Sequence, residues 1–256
     1  MAPPGGTADQ SELIYGLHAI REALRAGTRP LQRLLLQRTD RQFAEIVQQA
    51  KVKRIPIHIE PPAAFDRLVP NGKHQGVIAF VAAKPYSSIE EILEQARRRG
   101  EPPFLVILDG VEDPHNLGAV LRTAEAAGVH GVLIPDRRAA GLTSVVAKVS
   151  AGALDHMLVA RVGNISRLIE DLKEAGVWVY GVEPSAPTQF TGVDMTGPIA
   201  FVLGGEGEGI RPGVLKVCDG RFSIPMKGKV ESLNVSAAVA VALFEGVRQR
   251  SAKQRT

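Results

Sequence analysis

The chain has 256 residues, of which 45% are hydrophobic and 23% are charged, so its composition is that of an ordinary globular protein. No apolar run approaches the roughly 18 residues that span a bilayer, and residues 1–10 contain no signal-peptide core. We therefore expect a cytoplasmic protein without membrane contact. Cys218 is the only cysteine, so the chain offers neither a disulfide nor a cysteine-based zinc site.

The net charge of +4 is unevenly distributed along the chain. Residues 12–83 carry 11 Lys+Arg against 6 Asp+Glu, whereas residues 102–250 carry 14 against 16. Since sequence-independent phosphate binding follows local positive charge, the front of the chain is predicted to contact a polyanion. A solvated basic face has the same composition and stays open as an alternative.

The first eighty residues predict a small α/β domain. Residues 1–11 are rich in Pro, Gly and small polar types and are predicted to be disordered. The helical spacing of Leu17, Ile20 and Leu24 predicts a first helix that ends at Gly27. Further elements are predicted in this order: a strand at 31–37, a helix at 41–54, a strand at 55–60, a helix at 63–69 and a strand at 76–83.

The second half predicts a parallel sheet. Residues 84–101, bounded by prolines, are predicted to be a linker with one helix. From 102 to 250 several of the predicted strands are continuously apolar, as in parallel sheets that are covered on both faces. The last helix, within 232–247, is apolar nearly all round and is predicted to be buried; a basic tail follows at 251–256. Strands are predicted at 104–111, 129–135, 157–162, 177–183, 199–205 and 221–226, and helices at 117–127, 143–153, 165–175 and 212–217.

Residues 113–129 (DPHNLGAVLRTAEAAGV) connect a predicted strand to a helix without the G-x-G-x-x-G spacing of a dinucleotide site. Asn116 is predicted to cap the helix, because its side-chain oxygen can accept from amides of the first turn, and Gly128 is predicted to end it. Arg122 has two interpretations. It is either a surface residue paired with Glu125 or a functional residue.

A glycine-rich stretch, VLGGEGEGI at 202–210, follows another buried strand. Its four glycines in six positions let the backbone approach a ligand closely, although a plain loop is an alternative. No Walker Lys-Ser/Thr follows, and Glu206 and Glu208 would repel a pyrophosphate.

A third polar stretch begins the apolar last helix. In the run SLNVS, Ser232, Asn234 and Ser236 are all able to donate or accept hydrogen bonds. A helix cap at Ser232 or Asn234 is the plain interpretation, yet a cap does not require a polar residue at every second position.

Together the three stretches resemble the signature motifs of the SpoU (TrmH-type) family of RNA ribose methyltransferases, in the SPOUT superfamily. The motifs occur in the family's order and cover the whole predicted second domain. The matching residues are Asn116, Gly118 and Arg122 for N-x-G-x-x-R, Gly204, Glu206 and Gly209 for G-x-E-x-x-G, and Leu233, Asn234, Val235 and Ser236 for L-N-V-S.

The front of the chain extends the resemblance. YGLHAIREAL and KHQGVIAFV are similar to the substrate-binding domain of bacterial large-subunit rRNA guanosine 2′-O-methyltransferases. This similarity implies an RNA-binding domain at 12–83, with His74 and Gln75 at an edge that meets RNA. The same two residues also fit a plain turn, because a glycine and a strand follow them.

The resemblance implies an α/β chain with a C-terminal trefoil-knotted methyltransferase domain at 102–250, one of the rare knotted folds. It implies a homodimer through that domain, for which the apolar last helix offers surface. S-adenosylmethionine would bind in the knot, and no metal would be needed because its sulfonium already makes a good leaving group. The residues implied for the cofactor are Gly204, Gly205, Ile224, Leu233 and Asn234.

The implied reaction is methyl transfer to the ribose 2′-hydroxyl of a guanosine in large-subunit (23S) rRNA. The family proposal makes Arg122 the base, but a guanidinium keeps its proton at neutral pH and is therefore a poor base. Polarising the hydroxyl and stabilising the forming alkoxide is at least as good a role. The residues implied to orient Arg122 and the nucleotide are Asn116, Glu206, Ser232 and Asn234.

Three alternatives follow from the sequence. A tRNA ribose methyltransferase is the first, although tRNA enzymes of the family generally lack the front domain. A non-catalytic RNA-binding assembly factor is the second, and the intact motifs argue against it. A nucleotide-dependent oxidoreductase would need a phosphate-binding fingerprint after the first strand of the second domain, where none occurs.

Overall fold

The computed structural model describes residues 11–70, 72–205 and 207–253. The contacts divide the chain into two compact units. One unit contains the described residues up to Pro85 together with Leu142–Asp155, and the other contains Tyr86–Gly141 and the chain from His156 onward. The predicted disorder of residues 1–10 lies outside the described residues, and Ser11 already begins a strand.

The first unit is built on a four-stranded sheet. Its elements before Pro85 are β1 (Ser11–Tyr15), α1 (Leu17–Ala26), β2 (Leu31–Leu36), α2 (Ala44–Val52), β3 (Ile57–Ile59), α3 (Pro62–Leu68) and β4 (Val77–Ala82). The strand order is β1-β4-β2-β3, in which β4 runs antiparallel to both of its neighbours and β2 runs parallel to β3. The α/β alternation is confirmed, except that β1 was not predicted.

The first helix forms as its spacing predicts. Ile20 and Leu24 are fully buried. Gly27 ends α1 in the left-handed conformation, with φ +63, and its amide donates to the carbonyl of Ala23. Glycine takes this conformation without the steric cost that other residues incur.

The second unit is a six-stranded parallel sheet in the order β10-β8-β9-β5-β6-β7, as the apolar strands predicted. No helix in the described part of the chain is long and apolar enough to cross a membrane. The elements after Pro85 are α4 (Ile89–Arg99), β5 (Phe104–Asp109), α5 (Pro114–Ala126), β6 (Gly131–Pro135), α6 (Ser144–Val149), α7 (Ala153–His156), β7 (Val159–Val162), α8 (Ile165–Glu174), β8 (Trp178–Val182), β9 (Ile199–Gly204), α9 (Pro212–Val217), β10 (Gly220–Phe222) and α10 (Val235–Lys253).

The helix of the predicted linker is part of this second unit. Ile92 and Ala96 on α4 are fully buried, and Ile92 packs in the core beneath the sheet. A capping box between Ser88 and Glu91 starts the helix. The linker prediction was therefore wrong, because α4 carries an apolar stripe that the second core covers.

The segment Leu142–Asp155 belongs to the first unit, although the sequence places it inside the predicted second domain. Arg29 donates from Nε and Nη2 to the two carboxylate oxygens of Asp155, at 2.7 and 3.3 Å. Both side chains are at most 2% exposed. Lys84 donates to the carbonyl of Asp155, and burial lowers the pKa of Lys84 to about 8.

Asp155→Ala is expected to reduce the free energy of unfolding by about 3–5 kcal/mol, because the buried Arg29 would lose both hydrogen bonds to Asp155 and keep only Glu12, at 3.3 Å, as a partner. Urea unfolding measures the change. Asp171→Ala is the matched control, since Asp171 pairs with Arg167 at the surface, and it should cost less than about 1 kcal/mol. Equal effects for the two variants would contradict a buried ion pair.

The strand order reverses between β5 and β9. From β5 the chain adds β6 and β7 on one side, whereas β9, β8 and β10 lie on the other. Ligands of open parallel sheets bind outside the carboxyl ends of the strands at such a point. Asp109, the last residue of β5, pairs in register with Gly204, the last residue of β9.

The last helix, α10, is only partly buried. It begins at Val235, packs on α5 and buries Val239, Ala242 and Leu243. Ala237 and Phe244 are exposed on another face, and Phe244 is 49% exposed. The prediction of a fully buried helix was therefore wrong, because α5 and its neighbours cover only one side of α10. The predicted basic tail begins within the helix, at residues 251–253, and residues 254–256 lie outside the described residues.

Candidate active site

The amino terminus of α5 is capped by Asp113, whose Oδ1 accepts from the amide of His115 at 2.8 Å. Pro114 occupies the first helical position, where its missing N–H costs nothing. The prediction that Asn116 caps this helix was wrong. Asn116 lies within the first turn and is 9% exposed, and its Oδ1 accepts from Asn234 Nδ2 at 2.9 Å.

Asn234 joins the amino termini of α5 and α10. Its Oδ1 accepts from the amide and the hydroxyl of Ser236, at 2.9 and 2.6 Å, so Asn234 is the cap that the sequence suggested for α10. Because Oδ1 is held by Ser236, Nδ2 is directed at Asn116. One side chain thus connects two motifs that are 118 residues apart.

The glycine-rich loop turns sharply at the end of β9. The amide of Gly205 donates to the carbonyl of Asp109 at 2.8 Å. A Cβ on Gly204 would lie 1.9 Å from the carbonyl carbon of Gly209, and one on Gly205 would lie 2.0 Å from the carbonyl oxygen of Gly110. Both positions therefore require glycine. Glu206, predicted to be a site residue, lies outside the described residues.

A cavity of about 640 Å³ opens beside this loop. It is lined by all five residues implied for the cofactor and by Ser232, and its walls include the apolar side chains of Ile210, Leu215 and Met226. Apolar walls with a few polar groups are typical of pockets that bind small-molecule cofactors, and the volume is in the range of such pockets. The five are Gly204, Gly205, Ile224, Leu233 and Asn234.

A second cavity, of about 230 Å³, lies at the carboxyl ends of β5 and β6. Asn116 lines it, and the two cavities share Gly205, Glu208, Gly209 and Val235 as lining residues. The hydrogen bond between Asn116 and Asn234 therefore connects the walls of two adjacent cavities. A nucleotide in the smaller cavity would lie beside a cofactor in the larger one.

Charged residues outside the three motifs also line the smaller cavity. Asp109, which is 2% exposed, accepts from the amide of Arg211 at 2.9 Å and from its Nε at 2.8 Å. Arg138 pairs with Glu112 and Glu208. The available signal was a carboxylate at the end of an otherwise apolar strand, since buried charges are usually paired.

Arg122 is exposed on α5 and lies six residues beyond Asn116, which is about 9 Å along the helix axis and on another face. It forms no ion pair or hydrogen bond with any residue that the structure describes, so the predicted pairing with Glu125 is not formed. The structure does not bring Arg122 together with the pair of asparagines within one chain.

His74 and Gln75 hold a turn in the first unit. Gln75 has φ +53, and its Oε1 accepts from the amide of Leu17 at 3.0 Å, which caps α1. His74 Nδ1 accepts from the amide of Gly76 at 3.1 Å, and its ring lies 5.2 Å from that of Phe65. The plain turn is thus formed, and RNA contact at this edge stays a prediction.

Two family models match this chain. Residues 103–244 match the SpoU rRNA Methylase family, and residues 13–87 match the RNA 2′-O ribose methyltransferase substrate-binding family. The first match covers the parallel sheet, the glycine loop and the Asn116–Asn234 pair. The chain belongs to the SpoU family.

Relatives of this SpoU-family chain extend over nearly its whole length. YacO of Bacillus subtilis (strain 168), whose name assigns it to the TrmH family of tRNA/rRNA methyltransferases, is 41% identical over 245 residues, covering 95% of this chain and 98% of YacO. The SpoU methyltransferase AviRb from Streptomyces viridochromogenes, solved in complex with AdoMet, is similar with a TM-score of 0.80 and 26% identity. That alignment covers 94% of this chain and 91% of AviRb.

A shorter solved structure aligns with only part of the SpoU-family chain. The A. aeolicus TrmH/SpoU tRNA modifying enzyme has a TM-score of 0.56 and 29% identity, covering 64% of this chain and 85% of that enzyme. From family membership, this chain is an RNA 2′-O-methyltransferase that uses S-adenosylmethionine. Its substrate is RNA of the tRNA/rRNA class.

Proposed function

We propose that this enzyme methylates the ribose 2′-hydroxyl of a guanosine in large-subunit (23S) rRNA. The observation that carries the proposal is the complete first unit, which matches a substrate-binding family over residues 13–87 and carries the chain's excess positive charge. The tRNA modifying enzyme from A. aeolicus aligns with only 64% of this chain, which supports rRNA over tRNA. The trefoil knot and the cytoplasmic location stay predictions.

The larger cavity is proposed to hold S-adenosylmethionine, which supplies an activated methyl group when it is bound. Gly204 and Gly205 line this cavity and bring the loop backbone close to Gly110 and Gly209, since neither position tolerates a Cβ. Ile224 and Leu233 provide apolar walls, and Asn234 stands at the border with the smaller cavity. The chain's own contribution is to bind the cofactor from backbone and apolar groups and to fix its position against the ribose.

The smaller cavity is proposed to receive the target nucleotide. Asn116 is held by Asn234, so its amide has a fixed orientation against the ribose. Arg122 is proposed to polarise the 2′-hydroxyl and to stabilise the alkoxide that forms, because a guanidinium keeps its proton at neutral pH. Glu206 and Ser232 are proposed to help orient Arg122 and the nucleotide. Arg122 acts on the ribose only if the RNA extends along α5 or if a second protomer presents it.

Mapping of 2′-O-methylation across rRNA and tRNA in a deletion strain tests the target. We expect one guanosine of 23S rRNA to lose its methyl group and to regain it when the intact gene is restored, but not when the restored gene carries Arg122→Ala. Loss at a tRNA position would replace our proposal by the tRNA alternative. Loss at neither, together with no binding of S-adenosylmethionine in calorimetry, would favour the non-catalytic assembly factor.

A homodimer through α10 is proposed from the apolar residues that this helix leaves exposed. Phe244→Glu is expected to weaken dimerisation by about 30-fold or more, because burying a Phe side chain contributes about 2 kcal/mol. Sedimentation equilibrium at micromolar concentration measures the change. Val52→Glu, at a residue of the first unit that is 79% exposed, is the control and should leave the dimer intact. A monomeric wild-type protein would contradict the proposal.

A further inference from the structure

One face of the first unit's sheet carries a row of three side chains. Phe80 on β4 pairs in register with Leu13 on β1 and with Arg33 on β2. The neighbouring residues Ile14 and Leu34 point to the opposite face and are fully buried, whereas Leu13 and Phe80 are half-buried and Arg33 is exposed. The row therefore lies on a partly open face of the sheet.

A short helix covers only part of this face. Phe65 and Val69, at α3 and its end, pack on Leu35 and Ile78, which lie one row further along the strands. Leu13 and Phe80 only border that cluster. The row of Leu13, Phe80 and Arg33 lies at the edge of the region that α3 covers and remains accessible. We call these three residues the open row.

The guanidinium of Arg33 lies over the aromatic ring of Phe80. Its guanidinium carbon is 3.9 Å from the ring centroid, well within the distance of a cation–π contact. Among the residues that the structure describes, Arg33 has no ion pair and no hydrogen bond. Contact with the ring restrains the guanidinium, and no residue that the structure describes accepts a hydrogen bond from it.

The charge around the open row suits a polyanion. In the described part of the first unit every carboxylate except Glu60 contacts a basic side chain. Lys148 lies 4.4 Å above the ring of Tyr15, two residues from Leu13 on the same strand face. The lysines and arginines of this unit without an ion pair, within the described residues, are Arg33, Arg41, Lys51, Lys53, Arg54, Arg67, Lys73, Lys84 and Lys148.

We propose that the open row is a stacking platform for one unpaired base of the substrate RNA. The base lies on the outer face of the Arg33 guanidinium, so that base, guanidinium and Phe80 ring form three layers, and Lys148 contacts a flanking phosphate. Unpaired bases stack on aromatic rings and on guanidinium planes, and sheet faces with such residues bind single-stranded RNA. The inference rests on RNA being the substrate and names the surface of the first unit that holds it.

The test uses the full-length protein and a 12-nucleotide single-stranded RNA with one 2-aminopurine, whose fluorescence falls when the base stacks. Arg33→Ala is expected to weaken binding about tenfold and to abolish the quenching, since the base would lose the surface on which it stacks. Arg33→Lys keeps the charge and loses the plane, so quenching should be lost while the salt dependence of binding is retained. Phe80→Leu should also lose the quenching.

Arg41→Ala is the matched control, because Arg41 is also exposed and without an ion pair among the described residues. It should leave the quenching unchanged. Full quenching in Arg33→Lys, or equal effects of Arg33→Ala and Arg41→Ala, would overturn the platform. Because Arg33 is exposed, the variants Arg33→Ala and Arg33→Lys should fold, and they test the platform even if Phe80→Leu fails to fold.

Methyl transfer to total RNA is measured in parallel and separates this inference from the proposed function. If the wild-type protein methylates no rRNA but quenches the probe through Arg33, the proposed function fails and the platform stands. If rRNA is methylated and the probe's quenching does not depend on Arg33, the platform fails and the proposed function stands.

Discussion

Arg122→Ala is expected to lower the rate of methyl transfer by about 10²–10³-fold, since one well-aimed donor to a developing oxyanion contributes roughly 3–4 kcal/mol. The affinity for S-adenosylmethionine should hardly change, because Arg122 is not among the residues that line the larger cavity. The midpoint of thermal unfolding should also change little, since Arg122 is exposed and has no ion pair within the described residues. Single-turnover transfer to rRNA measures the rate, and calorimetry measures cofactor binding.

Two control variants bear on the role of Arg122. Glu125→Ala should leave the rate unchanged, because the structure shows no pairing between Glu125 and Arg122. Arg122→Lys keeps the charge without the planar fork. Substantial rescue by lysine would favour charge stabilisation, and no rescue would favour two-point orientation of ribose and phosphate. Near-normal turnover in Arg122→Ala would remove the arginine from the catalytic residues.

Gly204→Ala is expected to weaken the binding of S-adenosylmethionine by about 100-fold or more. The new Cβ would lie 1.9 Å from the carbonyl carbon of Gly209, so the loop must move away from β9 and the wall of the larger cavity changes shape. Strain of this kind costs about 1–3 kcal/mol or more, which also lowers the free energy of unfolding. Calorimetry and urea unfolding measure the two effects.

Gly213→Ala is the matched control for the glycine loop. Gly213 lies in α9, and nothing lies within 4 Å of the position that its Cβ would take. Its substitution should stabilise the helix slightly, because alanine has the higher helix propensity. Normal cofactor affinity in Gly204→Ala would show that the cofactor does not depend on this loop.

Local patterns in the sequence predicted most of the elements. The apolar spacing predicted α1, and Gly27 predicted its end, because helix periodicity and left-handed glycine are properties of a few neighbouring residues. The continuously apolar strands predicted a parallel sheet, since only a sheet covered on both faces buries every side chain of a strand. The three motifs predicted the family for a similar reason, because each consists of a few residues that lie close together in the sequence.

The polar contacts of the site depend on packing between residues that are distant in the sequence. Asn116 was expected to cap α5, but Asp113 and Pro114 take that end, and α10 packs on α5 so that Asn234 reaches Asn116. The pair of Asp109 and Arg211 likewise joins residues 102 positions apart. No local pattern specifies such contacts, because a carboxylate or an amide can be satisfied by any partner that the fold brings near.

The sequence by itself determined the α/β class, the parallel sheet and the three motifs, because each depends on neighbouring residues. Only the tertiary structure decided that α4 belongs to the second core and that Leu142–Asp155 belongs to the first unit. The physical reason is burial. Ile92 needs a core to cover it, and Asp155 needs Arg29 to balance its charge away from water, and both partners lie far along the chain.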